Sequence, residues 1–271
     1  VRSTRQGGGQ TATAIAAAAR QGAQTAFCCH LGWDDLSVYT VNELEKEGVD
    51  CSPCVRDQQG SPYHSVILVD LSTHTRTILH TVGNICPPVK AITSSLIRNT
   101  RVLLLDDNSR QAGIKAAKIA KTLGIPVVAD IEVDPPPETR ELIPLVDHLI
   151  INAEFGELLS GRKDCGDMAV DLSVPRASVV ITDGERGCWI SEHGGPACHI
   201  PGWKVDVLDT TGCGDVFHGS FAAALSRGEE VHQAAMTANA TAALKATQPG
   251  GRQGIPSLME VREFLGKNSI A

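Results

Sequence analysis

Four short apolar segments constrain the fold of this chain more than any other feature of its sequence. They are rich in Val, Ile and Leu, each is too short for a helix, and they comprise residues 102–105, 126–129, 148–151 and 178–181. Strands that are buried on both faces of a parallel sheet have this composition. The sequence therefore predicts an α/β fold that is built on a mostly parallel sheet.

The segment between the first two of these strands has the pattern of an amphipathic helix. Within residues 110–124, the apolar side chains on one helical face are Ala112, Ala116, Ile119, Ala120 and Leu123. Gly124 and Pro126 supply the stop signal, so these elements form a βαβ unit. Further helices are predicted at residues 215–227, at residues 231–247 and from Ser257, where Ser257 and Glu260 form a capping box.

One stretch departs from this alternation of strands and helices. Residues 63–70 and 75–80 alternate loosely between apolar and polar side chains and flank a Ser-Thr-His turn. This pattern predicts an antiparallel hairpin beside the main sheet, at about residues 61–81. Because such a hairpin has open edge strands that a second copy of the chain can pair with, we expect a homodimer.

Composition limits the classes of protein to which the chain can belong. Of its 271 residues, 42% are hydrophobic, which is enough for a sizeable core in one large domain. The net charge of −7 has the wrong sign for a protein that neutralises nucleic-acid phosphates. No apolar run approaches the ~20 residues of a membrane span, and the chain does not begin with an apolar leader. We therefore expect neither nucleic acid nor a membrane as partner, and a cytoplasmic location.

The cysteine pattern argues against a disulfide scaffold. The nine cysteines are an odd number and are scattered along the chain. The CxxC at Cys51 and Cys54 has no second pair that would complete four zinc ligands. Free and mostly buried thiols are therefore the expected state.

The segment Asp209-Thr-Thr-Gly-Cys-Gly-Asp215 has the composition of an anion-binding loop. It lies between a strand-like stretch at residues 204–208 and a helix that is predicted to begin at about Asp215. Gly212 and Gly214 allow a tight turn in which consecutive N–H groups point together at the positive end of the helix dipole. A plain glycine turn is the alternative, but acids beside an anion site are costly unless one acts as a base or helps to hold a cation.

This motif is one of several, in order along the chain, that resemble the ribokinase-like carbohydrate kinases, also called the phosphofructokinase-B family. The second signature of that family reads D-T-x-G-A-G-D, and Cys213 stands here in place of its alanine. The other similar stretches are Gly7-Gly-Gly-Gln10, His30-Leu-Gly-Trp-Asp-Asp35, Leu44-Glu-Lys-Glu-Gly-Val-Asp50, Thr182-Asp-Gly-Glu-Arg-Gly187 and residues 239–256. The run DTTGCGDVFHG is most similar to the branch that contains sulfofructose kinases. The resemblance extends over nearly the whole chain.

The resemblance implies a fold and an activity. The fold would be a ribokinase-like three-layer αβα sandwich with a small β lid, in one domain over residues 1–271. Relatives begin earlier, with the first central strand, so we expect this strand to be missing from the sequence as given. The activity would be the ATP-dependent phosphorylation of a hydroxyl group on a sugar or sugar derivative. ATP and Mg²⁺ would be required, and many members of the family also use a monovalent cation.

The resemblance also implies roles for individual residues. Asp215 would be the general base, and Gly212, Cys213 and Gly214 would form the anion hole. The implied substrate-binding residues are Gly8, Gly9, Gln10, Arg76 and Asp209. The implied nucleotide-binding residues are Asn152, Thr182, Gly184, Gly187 and Asn239, and the implied metal-binding residues are Glu154, Asp209 and Thr211. The family's N-x-x-E motif has a glutamate at its fourth position, whereas this chain has Phe155 there and Glu154 before it.

The sequence leaves two other functions open. A nucleoside kinase of the same fold would need lid aromatics around an apolar base pocket, and this region offers only Tyr63. A non-catalytic, sugar-sensing regulatory protein is the second alternative, motivated by Phe155 and by the missing first strand. The remaining acids at or just after strand ends either face the cleft or cap loops, and they are Asp106, Asp107, Asp130 and Glu132. His218 is expected to pack or to lie at the surface rather than to catalyse.

Overall fold

A six-stranded sheet forms the centre of this computed structural model, which describes residues 4–70, 75–131 and 140–268. Numbered in chain order, its strands are β5 (Leu103–Asp106), β6 (Val127–Asp130), β7 (His148–Asn152), β8 (Ser178–Thr182), β9 (Cys188–Glu192) and β10 (Cys198–Ile200). The spatial order is β10-β9-β8-β7-β6-β5. Strands β5 to β8 are parallel, whereas β9 and β10 are antiparallel to their neighbours. The mostly parallel sheet predicted from the four apolar segments is confirmed.

Helices cover both faces of this sheet. The helices on one face are α3 (Ser94–Ile97), α4 (Arg110–Leu123), α5 (Ala153–Ser160) and α6 (Cys165–Leu172), and those on the other are α7 (Cys213–Ser226) and α8 (Val231–Ala246). Alternate side chains of each strand enter the two cores: Leu149 and Ile151 pack on the first face and Ile150 on the second. Both faces are therefore apolar, and the three-layer αβα architecture is confirmed.

The ends of several helices follow the sequence signals. Helix α4 ends at Gly124, which has the left-handed φ of 69° that favours glycine. Helix α9 (Leu258–Lys267) begins with the predicted capping box, in which the side chains of Ser257 and Glu260 each bond the other's backbone N–H. Helix α1 (Gln10–Arg20) packs against α7. In the part of the chain that the structure describes, no helix is both long enough and apolar enough to cross a bilayer.

Two local predictions about the anion loop were wrong. Residues 204–208 form a loop rather than a strand, because no strand of the described residues pairs with them. Leu208 and Asp209 instead donate their N–H groups to the carbonyl of Ala246. Helix α7 begins at Cys213 rather than at about Asp215, since Gly212 already serves as its N-cap. Asp215 is therefore the third residue of the helix and lies within its first turn.

The N-terminal part of the chain forms two smaller sheets. Strands β1 (His30–Leu31) and β2 (Val55–Arg56) pair in parallel and are joined by helix α2 (Asp35–Lys46). Strands β3 (His64–Asp70) and β4 (Thr75–Thr81) form an antiparallel hairpin that is separate from the six-stranded sheet. A cleft of about 970 Å³ separates the edge strand β5 from the chain that leads into β1.

Candidate active site

Four of the polar residues that the sequence singled out lie at the carboxyl ends of the parallel strands. Asn152 at the end of β7 pairs in register with Thr182 at the end of β8. Asp106 and Asp130 are likewise register partners at the ends of β5 and β6. Glu132 lies outside the residues that the structure describes. Open α/β sheets bind ligands at this edge, because loops and helix N-termini converge there.

The anion loop ends in a glycine turn at the start of α7. Gly212 has a φ of 77°, and a Cβ at this position would lie 3.0 Å from the carbonyl oxygen of Gly251. Gly214 is the second residue of α7, where a backbone N–H has no acceptor within its own helix. Cys213 donates its N–H to Thr210 O at 3.1 Å, so this predicted anion-hole donor is already engaged. The backbone N–H groups of Gly212 and Gly214 are therefore better candidates for binding an anion than the N–H of Cys213.

Asp209 ties the anion loop to its surroundings. Its carboxylate accepts hydrogen bonds from the N–H of Thr211 at 2.9 Å and from the N–H of Gly250 at 2.8 Å. Lys245, which is fully buried, donates its Nζ to the carbonyl of Asp209 at 2.9 Å. Burial opposes ionisation, but the hydrogen bonds from Thr211 and Gly250 outweigh it and lower the pKa of the Asp209 carboxyl. The assignment of Asp209 and Thr211 to substrate or cation stays a prediction.

The glycine loop before α1 (Gly7–Gly9) reaches the same edge of the sheet. Gly9 is the N-cap of α1 with a φ of 87°, and no side chain caps this helix. Gln10 does not cap its own helix: its Oε1 accepts a hydrogen bond from Asn108 Nδ2 at 2.6 Å. Tyr63, at the base of the hairpin, donates its hydroxyl to Asn108 Oδ1 at 3.2 Å. Sequence reasoning missed Asn108, although its place just after a predicted buried strand is a usable signal.

Buried polar groups connect this edge of the sheet to the flanking helices. Thr11 donates its hydroxyl to the carboxyl of Asp106. Burial raises the pKa of this carboxyl, because its effect exceeds that of the hydrogen bonds from Thr11 and from residues 108 and 109. His218, on α7, is buried as expected for a packing residue. Its Nδ1 lies 2.8 Å from Gly214 O, and its Nε2 lies 3.1 Å from Ile150 O and 3.4 Å from Asp130 Oδ1. His218 thereby fixes the first turn of α7 to strand β7.

Two of the residues predicted to bind nucleotide, Gly187 and Asn239, lie against residues 200–202. At Gly187, with a φ of 89°, a Cβ would lie 2.1 Å from Ile200 O, so only glycine fits. Asn239 on α8 donates its Nδ2 to Pro201 O at 2.8 Å. Gly184, in the turn after β8, also has a positive φ, of 52°. The loop after β8 and helix α8 therefore meet at residues 200–202.

The motif predicted to hold metal forms the start of α5. Asn152 caps this helix, because its Oδ1 accepts the N–H of Phe155 at 2.8 Å. Phe155 is buried in the core, whereas Glu154 is exposed on the first turn. In the described ranges, no three potential metal-ligating side chains lie together. Mg²⁺ in kinases is commonly held by one or two carboxylates and the substrate phosphates, so a single carboxylate at Glu154 fits such a site.

Arg76 is the predicted substrate residue on the hairpin. Its backbone lies on β4, opposite Val69 of β3. Its side chain lies outside the described part of the structure, so its contact with substrate stays a prediction.

Comparisons of the sequence and of the fold with known proteins agree with the family resemblance of the motifs. Residues 2–258 match the family described as pfkB family carbohydrate kinase. A ribokinase from Haemophilus influenzae is 30% identical over 274 residues, which cover 95% of this chain and 87% of that protein. The ribokinase structure from Thermotoga maritima has a TM-score of 0.83 at 26% identity, covering 96% of this chain and 88% of its own. The Arabidopsis thaliana ribokinase complexed with ribose and ATP shares the fold, with a TM-score of 0.81 at 22% identity and coverage of 97% and 88%.

Proposed function

Because the chain belongs to the pfkB family of carbohydrate kinases, we propose that it phosphorylates a sugar hydroxyl with ATP at the carboxyl edge of its sheet. One observation carries this assignment to the site: a glycine turn with a φ of 77° opens α7, and Asp215 lies on the first turn of that helix. An anion-binding helix start and a carboxylate are thus three residues apart. Phosphoryl transfer needs such a pair, to stabilise the transferred group and to accept the hydroxyl proton.

Asp215 acts in this proposal as the general base. It accepts the proton of the sugar hydroxyl while that oxygen attacks the γ-phosphorus of ATP, the bond from that phosphorus to the β,γ-bridging oxygen breaks, and ADP leaves. The backbone N–H groups at the start of α7 point at the charge on the phosphoryl oxygens, and donors that are already in place there need no reorganisation. We assign this role first to Gly212 and Gly214, because the N–H of Cys213 is held by Thr210.

The sugar lies in this proposal between the glycine loop and the base of the hairpin. Gly8 and Gly9 allow its close approach to the backbone, and Gln10 presents its amide beside Asn108. Amide and hydroxyl side chains of this kind exchange hydrogen bonds with sugar hydroxyls in both directions. The β3–β4 hairpin serves as the lid. Its exposed apolar side chains Val66, Leu68 and Leu79 and its open edges form the surface through which we propose homodimerisation.

The nucleotide lies along the wall formed by the loop after β8 and by α8. Thr182, Gly184, Gly187 and Asn239 line it, with Asn152 at the neighbouring strand end. We place Glu154 and Asn152 beside Mg²⁺, which when bound with ATP neutralises charge on its phosphates.

The metal assignment predicts a specific kinetic change in Glu154→Gln. This variant should raise the Mg²⁺ concentration for half-maximal rate by on the order of tenfold, because an amide is a weaker ligand than a carboxylate. Titrating Mg²⁺ at saturating ATP and sugar measures the effect. Glu157→Gln is the matched control, since Glu157 is also exposed and lies on the same helix. Equal Mg²⁺ dependence in both variants would remove Glu154 from the site.

The substrate is identified by measuring ADP formation with a panel of acceptors. The panel should contain pentoses, ketohexoses, acidic and sulfonated sugars, and nucleosides. We expect ATP consumption that depends on one sugar class. Turnover only with nucleosides would favour the nucleoside kinase alternative, and sugar binding without any turnover would favour the sensor alternative.

A further inference from the structure

Arg252 is a buried arginine that reaches from the loop after α8 to the glycine loop. Only 6% of its surface is exposed. Its Nη2 donates a hydrogen bond to Gly8 O at 2.6 Å, and its Nε donates to the Thr13 hydroxyl of α1 at 3.3 Å. A Cβ at Gly7 would lie 2.4 Å from Nη1, so the glycine loop lies directly against the guanidinium.

This arrangement is costly for stability alone. Burial lowers the pKa of Arg252, although nearby carboxylates, including Asp215, oppose the shift. In the described residues, the buried Nη1 has no hydrogen-bond partner. Burying a charged group with an unpaired donor is unfavourable, and an apolar side chain of similar size would avoid the penalty. The burial of Arg252 is therefore better explained by a role in holding the neighbouring segments in place.

The two residues before Arg252 hold the anion loop. Gly250 donates its N–H to Asp209 Oδ2 at 2.8 Å, and the backbone of Gly251 packs against Gly212. Gly251 also donates its N–H to Gln6 Oε1 at 3.2 Å, just before the glycine loop. We call residues 250–252 the clamp, because this one segment contacts both the glycine loop and the anion loop.

We propose that Arg252 is a positioning residue that sets the glycine loop, and with it the sugar hydroxyl, at the correct distance from the anion loop and Asp215. This inference rests on the proposed function. In-line transfer needs the attacking oxygen close to the phosphorus, and an error of about 1 Å costs on the order of 100-fold in rate. A guanidinium suits the task, because it donates in two fixed directions at once, to Gly8 and to Thr13.

Arg20 provides a matched control. It donates Nη1 to Ile255 O at 2.9 Å and to Gln253 O at 3.4 Å, just beyond the clamp, and forms an ion pair with Glu47 at 2.6 Å. Within the described residues, its hydrogen bonds and its ion pair involve neither the glycine loop nor the anion loop. A purely structural role for Arg252 would therefore give Arg252→Ala and Arg20→Ala the same kind of effect, namely a lower Tm with little change in kinetics.

The kinetic test compares Arg252→Ala, Arg252→Lys and Arg20→Ala. Arg252→Ala should lower kcat/KM for the sugar by about 100-fold and leave the Kd of ATP within about twofold. Arg252→Lys should restore only part of the loss, because one ammonium group cannot reproduce the two-directional fork. Added guanidinium ion should raise the rate of Arg252→Ala and have no such effect on Arg20→Ala. Equal kinetics in Arg252→Ala and Arg20→Ala, or no rescue, would overturn the proposal.

A measurement that needs no turnover separates this proposal from the proposed function. Hydrogen exchange of the amides of residues 7–13 should accelerate in Arg252→Ala and stay unchanged in Arg20→Ala. If Arg252→Ala does not fold, Gly7→Ala replaces it, because its Cβ must displace the guanidinium while Arg252 is retained. Unchanged exchange in these variants would refute the positioning role, whether or not the wild type phosphorylates a sugar. Absence of turnover in a wild-type protein with normal exchange would instead count against the proposed function.

Discussion

Asp215→Asn should lower kcat by about 10²–10⁴ while leaving the fold and the Kd of ATP unchanged. Asparagine has the size of aspartate and still forms hydrogen bonds, but it cannot accept the proton of the sugar hydroxyl. Steady-state kinetics with the identified sugar, together with ATP titration by calorimetry, measure the two expectations. Retention of more than about a tenth of the wild-type kcat would place the base elsewhere.

A stability effect accompanies this substitution and needs its own control. Asp215 is the third residue of α7, so its replacement removes a negative charge from the positive end of the helix dipole. This loss costs about 0.3–1 kcal/mol of unfolding free energy and should lower the Tm slightly. Asp167→Asn is the matched control, because Asp167 is the third residue of α6 and is exposed. It should show a similar Tm change with wild-type kcat.

Alanine substitutions at the two glycines of the anion loop should separate stability from catalysis. Gly212→Ala should lose stability and activity. The positive φ costs a non-glycine residue roughly 1–2 kcal/mol, and the contact of the new Cβ with Gly251 should shift the turn. Its kcat should fall by about 10²-fold or more as the N–H donors move. Gly214→Ala should keep its fold, because no heavy atom lies within 4 Å of the added Cβ. Its kcat should still fall by at least about tenfold, because we propose that the phosphoryl group binds in that open space.

The control for this pair is Gly266→Ala, on the exposed face of α9. Its added Cβ also meets no heavy atom within 4 Å, and a helical alanine is more stable than glycine by about 0.5–1 kcal/mol. Thermal unfolding should therefore show Gly214→Ala and Gly266→Ala at or above the wild-type Tm, with only Gly266→Ala fully active. Full activity of Gly214→Ala would mean that the phosphoryl group does not bind against this turn.

The parts of the fold that were predictable from sequence are those determined by local pattern. The central residues of strands β5 to β8 are apolar because both faces of the sheet are buried there, and Gly124 and Ser257 mark helix ends through local backbone geometry. The wrong prediction of a strand at residues 204–208 also came from a local pattern. An alternating apolar pattern does not reveal whether a partner strand exists, and here the end of that segment donates its backbone N–H groups to the carbonyl of Ala246 on α8.

The site was less predictable, because its contacts join residues that are far apart in sequence. Arg252 and Gly8 are separated by 244 positions, and Asn108 and Gln10 by 98. Neither pair has a local signal that identifies its partner. Asn152 shows a different limit. Its motif is visible in the sequence, but the sequence does not show that its Oδ1 accepts a hydrogen bond from the N–H of Phe155 and so caps α5.

The most direct test of the central claim follows the γ-phosphoryl group itself. The full-length wild-type protein is incubated with γ-labelled ATP and the sugar found in the acceptor panel, and the labelled products are separated and quantified. We predict one labelled sugar phosphate for each ADP formed, with no labelled protein intermediate, because Asp215 and the start of α7 support direct transfer. Label recovered as inorganic phosphate or on the protein, rather than on the sugar, would contradict the account.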